Sequence, residues 1–196
     1  MTAFVPPPAV PSAQAQQLYD EDVADSGDVM NLSRVWAHRP ELQEGLFDLL
    51  RTANAPLQLS MRERGILVTS AAAALGDSYC ALAWGERLAQ ESTPAIAAAV
   101  LAGDTDDLTP RERALATWSR AVADDPNATT AAQVDDLRQA GWTDEEIVGI
   151  TVFVALRLAF STVNDALGVR PDAAYRSTAP AEVLGAVTWG RPIEEA

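Results

Sequence analysis

The chain has 196 residues, a formal net charge of −14, one cysteine and one histidine. The charge repels phosphate backbones and anionic bilayers, so neither nucleic acid nor a membrane surface is an expected partner. With only Cys80 and His38, the chain cannot form an intrachain disulfide, a Cys/His zinc site or a two-histidine metal site.

The length suits a single domain able to bury a core without cross-links or metals. Much of the apolar content is alanine, which favours closely packed helices. Residues 1–17 contain three consecutive prolines, Pro6 to Pro8, which forbid a helix there. They read as an extended or flexible arm, with Phe4 and Val5 available to bury against something. Residues 18–28 carry five acids and read as a loop with a short helix. We therefore expect an N-terminal arm over 1–30 and a single all-α domain, with a C-terminal extension, over 31–196.

Within that domain Ser33 is placed to cap a short helix that ends before Pro40. A second helix puts Leu42, Leu46, Leu49 and Leu50 on one face. An internal echo follows. Leu59-Ser60-Met61-Arg62-Glu63-Arg64 resembles Leu108-Thr109-Pro110-Arg111-Glu112-Arg113, and in each a Ser or Thr precedes Glu by three residues, the pattern of a capping box. Thr130 with Gln133 and Thr143 with Glu146 repeat it. Thr93-Pro94 opens another helix, and Gly103, Gly141 and Gly168 stand where helices should stop. The resulting helices are 33–39, 41–52, 61–75, 78–91, 94–102, 110–123, 131–140 and 144–167, with a further short one at 181–188. The 144–167 helix is apolar nearly all round and is expected to be central. Its most apolar part, Ile147 to Phe160, is interrupted by Arg157 and reads as too short for a membrane span. Arg157 itself calls for a buried acidic partner.

The segment Gly76-Asp77-Ser78-Tyr79-Cys80-Ala81-Leu82-Ala83-Trp84 carries the chemistry. Gly76 ends one helix and Asp77 is suited to cap the next. Cys80 then falls in the first turn, where the helix dipole favours its thiolate, the form that attacks peroxide. Asp77 acts the other way, because a nearby carboxylate disfavours the thiolate. Trp84 lies one turn later on the same face. Tyr79 is a potential proton donor that packs equally well. His38, before Arg39-Pro40, is placed to meet helix-terminal carbonyls, or to act as a base. Asn164 and Asp165 near the end of the apolar helix are placed to face a cavity.

These residues resemble the alkyl hydroperoxidase D-like (AhpD-like) / carboxymuconolactone decarboxylase superfamily, most closely its peroxidase-related branch. Arg62-Glu63-Arg64, the Gly76 turn and Cys80 match the family pattern, in which a capped helix precedes Cys-x-x-Cys-x-x-x-His. Asp77 replaces its first cysteine, Trp84 its histidine and Gly65 its proton-relay glutamate, with Glu63 two residues away. The resemblance implies an all-α, AhpD-like orthogonal bundle of eight or nine helices that assembles into homo-oligomers.

It also implies thiol-dependent peroxide reduction at Cys80, with Asp77, Glu63 and Tyr79 as further catalytic candidates. Trp84, His38 and Asn164 are the substrate-binding candidates. The substrate would be a peroxide or a small organic acid. Two alternatives stand beside it: a cofactor-free decarboxylase or isomerase using Asp77, Tyr79, Glu63 or His38 for proton transfer, and a non-catalytic oligomer that binds a small ligand. No phosphate-cradling glycine loop is present, so no cofactor and no metal is expected. No cation precedes Arg34, so the basic start of a signal peptide is missing and a cytoplasmic location is expected.

Overall fold

In the computed structural model, which describes residues 2–195, the chain is all helical, with no strand among those residues. The helices are α1 (Ala13–Ser26), α2 (Asn31–Trp36), α3 (Pro40–Asn54), α4 (Met61–Leu75), α5 (Ser78–Gln90), α6 (Pro94–Ala102), α7 (Pro110–Asp124), α8 (Ala131–Gln139), α9 (Asp144–Ala166), α10 (Tyr175–Thr178) and α11 (Ala181–Ala186). The four capping boxes form as the sequence predicts, at Ser60, Thr109, Thr130 and Thr143.

The internal echo has a structural counterpart. α4 and α7 pack along each other, and their first turns exchange ion pairs. Arg62 Nε donates to Glu112 Oε1 at 2.5 Å, and Arg111 Nε donates to Glu63 Oε1 at 3.3 Å. Each Glu thus closes its own capping box and also neutralises the arginine of the facing helix. α5 returns along α4. It can do so because position 65 is glycine, where a Cβ would stand only 3.2 Å from the Leu88 side chain. Position 65 is therefore taken up by helix packing.

Several expectations are corrected. The arm is shorter than expected and the acidic stretch more helical: residues 13–17 and the stretch read as a loop with a short helix form one full helix, α1, started by Ser12 accepting the Ala15 N–H at 3.1 Å. The arm before it is extended, as its prolines require, and lies on its own chain. Phe4 N–H donates to Leu167 O at 2.8 Å, and Arg170 N–H donates to Thr2 O at 2.8 Å. Ser33 does not cap α2. It is buried inside that helix, and Met30 stands at the cap without a side-chain bond. α9 runs 23 residues, longer than the Ile147 to Phe160 stretch within it, and is long and apolar enough by length and composition alone to cross a membrane. It packs against α3, α4 and α7 as a core helix. Only one face is buried, however, and Val148 and Val152 lie on its exposed face.

Candidate functional site

The site begins at the turn between α4 and α5. Gly76 adopts φ +80°, a left-handed conformation that costs other residues a Cβ clash, and this reverses the chain within two residues. Asp77 then caps α5, its Oδ1 accepting the Cys80 N–H at 2.9 Å. Asp77 is fully buried, and its second oxygen, Oδ2, has no hydrogen-bond partner.

Cys80 is buried and faces α9. Two α9 side chains meet its sulfur: Arg157 Nη2 and Ser161 Oγ each lie 3.5 Å from Sγ. Burial pushes the thiol up to about 12, and the Asp77 carboxylate adds to that, while Arg157 and the Ser161 hydroxyl pull the other way. In the resting structure Cys80 is therefore a thiol. The sulfur lies in a polar nest, and it lines none of the five principal clefts. A cleft of about 530 Å³ comes within one helical turn of it, bordered by Ala83, Arg87, Arg34 and Tyr175.

Arg157 corrects a further expectation. It is 6 % exposed but makes no ion pair among the described residues. Its guanidinium carbon lies 5.3 Å from the ring centres of both Trp84 and Phe160, and its Nε has no hydrogen-bond partner. Cation–π attraction and the soft sulfur replace the missing carboxylate.

One turn beyond Ser161, Asn164 accepts the Trp36 indole N–H at 2.8 Å through Oδ1, and its amide nitrogen is buried without a partner. Trp36, at the end of α2, stacks on Phe160 of α9 with centroids 5.5 Å apart. Asp165 follows. Burial raises its carboxyl to about 7, with Asp77 adding and Arg191 opposing. Arg191, in the C-terminal tail, donates to the Asp165 carbonyl at 2.9 Å, and its own carbonyl accepts the Ser78 hydroxyl at 2.8 Å.

The structure thus gathers Asp77, Cys80, Trp84 and Asn164 around one point and leaves the other three candidates elsewhere. Glu63 is at the opposite end of α4, closing its capping box and pairing with Arg111. Tyr79 is buried but turned away from α9: its hydroxyl donates to Asp172 Oδ2, and its ring packs edge-on against Tyr175 at 6.0 Å. Burial, with the Asp172 carboxyl next, holds its phenol well above the usual range, so it is a poor proton donor. His38 is exposed, and its Nε2 lies 2.8 Å from the Pro6 carbonyl, where it fastens the arm. Sequence reasoning had Arg157 but not its partner, and it missed Ser161 and Arg191. The spacing of Arg157, Ser161, Asn164 and Asp165 was the available signal. Polar residues at i, i+4, i+7 and i+8 of an apolar helix share one face and call for something polar opposite.

Comparison with solved structures places this architecture. An uncharacterized peroxidase-related protein of Ralstonia eutropha JMP134 with the alkylhydroperoxidase AhpD core superposes with a TM-score of 0.78 at 26 % identity, covering 89 % of this chain and 95 % of that one. A peroxidase-related protein of Silicibacter sp. TM1040 gives 0.79 at 19 % identity, with 90 % and 95 % covered. The debrominase Bmp8 gives 0.73 at 16 % identity, with 95 % and 97 % covered. No protein-family model matches the chain, and no curated relative matches it. The chain therefore has the AhpD-like helical bundle fold of the peroxidase-related proteins. The architecture expected from the Gly76–Trp84 segment and the capped helices is the one observed, with eleven helices among the described residues where eight or nine were expected.

Proposed function

We propose that this chain is a single-cysteine, thiol-dependent hydroperoxidase that acts through Cys80. One observation carries the reading: the thiol is met at 3.5 Å by both a guanidinium without a carboxylate partner and a hydroxyl. A buried cation that lacks a counter-ion is stabilised by an anion forming beside it. The anion available here is the Cys80 thiolate, and Ser161 adds a hydrogen bond to it. Thiolate sulfur attacks the terminal oxygen of a hydroperoxide and the O–O bond breaks, giving the Cys80 sulfenic acid and an alkoxide that takes up the proton lost by the thiol and leaves as an alcohol. An external thiol then condenses with the sulfenic acid, releasing water and leaving a mixed disulfide. A second external thiol displaces Cys80 and restores it. External thiol completes the cycle because Cys80 is the only cysteine.

The test mixes reduced protein with cumene hydroperoxide and follows sulfenic acid at Cys80 by dimedone trapping and mass spectrometry. We expect oxidation faster than that of free cysteine at the same pH, and a drop of tenfold or more, on the order of one lost charge-assisted contact, in Arg157→Met. Oxidation of the native protein no faster than that of free cysteine would end the proposal.

A further inference from the structure

Within the hydroperoxidase reading, a thiol held protonated by burial cannot react until a base takes its proton, and an alkoxide leaving group needs an acid. Two carboxyl groups lie on the elements that meet at the sulfur. Asp77 sits beside the thiol, accepting the Cys80 amide through Oδ1 and keeping a buried, unpartnered Oδ2. Asp165 lies one turn past Ser161 on the α9 face that meets the sulfur, half-buried and within reach of solvent. One residue of the tail bridges the start of α5 and the end of α9, the two elements that carry them. Arg191 binds the Ser78 hydroxyl with its carbonyl and the Asp165 carbonyl with its guanidinium. Gly190 lies against the Gly76 carbonyl, where a Cβ would come within 2.7 Å.

We propose that Asp77 and Asp165 form an acid–base pair for peroxide reduction, Asp77 taking the thiol proton and Asp165 protonating the departing alkoxide. The steps balance. The Cys80 S–H proton passes to Asp77 Oδ2. Sulfur bonds to the terminal peroxide oxygen as the O–O bond breaks. Asp165 gives its proton to the alkoxide, and the proton on Asp77 then returns to Asp165. The net change is thiol plus hydroperoxide to sulfenic acid plus alcohol, with no proton gained or lost.

The charged and titratable groups that face this pair are few. Asp165 responds to Asp77 from the α5 cap and to Arg191 from the tail. Cys80 responds to Asp77 and to Arg157, with Ser161 as its hydrogen-bond partner, and the buried phenols of Tyr79 and Tyr175 stand near enough to feel its charge. Burial and the Asp77 charge hold the Asp165 proton to about 7, so the acid is loaded at neutral pH and lost above it.

The pH profile of Cys80 oxidation in the native protein tests this. A thiol working alone reacts faster at each step up in pH, because its thiolate fraction grows. The pair requires the opposite: a rate that falls as pH rises through about 7. Asp165→Asn should abolish that fall and slow oxidation at pH 6 by ~100-fold, the usual scale of general acid catalysis. Asp165→Glu should restore part of the rate. A native rate that climbs steadily through pH 7–9 would overturn the pair while leaving Cys80 chemistry intact. Oxidation no faster than free cysteine at every pH would remove the hydroperoxidase reading and the pair together.

Discussion

Arg157 poses the sharpest question of any residue in the chain. Removing one partner of a buried ion pair costs about 3–5 kcal/mol, because the other charge is left stranded. Arg157 has no such partner in contact, only Cys80 sulfur and two aromatic rings. Replacing a buried charge by an apolar group of similar volume is then neutral, or stabilising by about 1–4 kcal/mol. Arg157→Met should hold or raise the melting temperature while it slows peroxide oxidation. A loss beyond ~3 kcal/mol would show that Arg157 is paired with the nearby Asp77 charge across the thiol.

Asp165 gives a second prediction at this scale. Its folded-state carboxyl is raised to about 7, against about 4 unfolded. The stability it contributes is therefore present below about pH 4 and is lost as pH rises through 7. Asp165→Asn should gain stability relative to the native chain across that window, read from paired melting curves in a pH series. Both residues were visible in the sequence as polar interruptions of an apolar helix. The identity of what they face was not, because a sulfur from α5 and a guanidinium from the tail reach them across 77 residues and 26 residues of chain.

At the scale of the element, the capped helix starts were the most legible feature of the chain. A capping box is a local device: its two hydrogen bonds join residues three apart, and no distant contact is needed to form it. The use made of Glu112 beyond its cap was not legible. Burial pushes its carboxyl up, but Arg62 and the Thr109 amide and hydroxyl outweigh this and hold it below the usual carboxylate range. The resulting stability is present above the unfolded carboxyl pKa and is lost on acidification. Glu112→Ala should therefore cost about 2 kcal/mol at neutral pH, combining a lost cap with a lost partly buried pair. The deficit should shrink as the pH falls below about 4, where the native Glu112 is protonated too. Urea unfolding at two pH values measures both. Glu63→Ala should cost less, since its partner Arg111 is longer-ranged and more exposed. α1 escaped the sequence reading for the opposite reason. Its four acids and weak apolar face resemble a solvated loop, and its start depends on one serine cap at Ser12.

At the scale of the whole molecule, both chain ends return to the site. The arm is hydrogen-bonded to Leu167 and Arg170, just after α9. The tail is held chiefly by arginine side chains on its carbonyls, with Arg170 Nη2 2.9 Å and Arg176 Nη2 3.0 Å from Ile193 O. Side-chain-to-carbonyl bonds at a surface make a segment that opens without unfolding the helical core. Gly190 is the point where the tail touches the α4–α5 turn, and it does so at φ +73°. An alanine there meets two obstacles, the left-handed backbone and the Gly76 carbonyl at 2.7 Å, so the tail must lift from the turn. Gly190→Ala should accelerate amide exchange over residues 187–195 while leaving protection in α4 and α7 unchanged. Lifting the tail also admits water to Asp77 and withdraws Arg191 from Asp165. Hydration lowers the Asp165 carboxyl and loss of the arginine raises it, but burial is the larger cause of its shift. The Asp165 carboxyl should therefore move down from about 7, as read by carbon-13 carboxyl titration. The same titration moving upward would mean that Arg191 charge, rather than tail coverage, governs the acid.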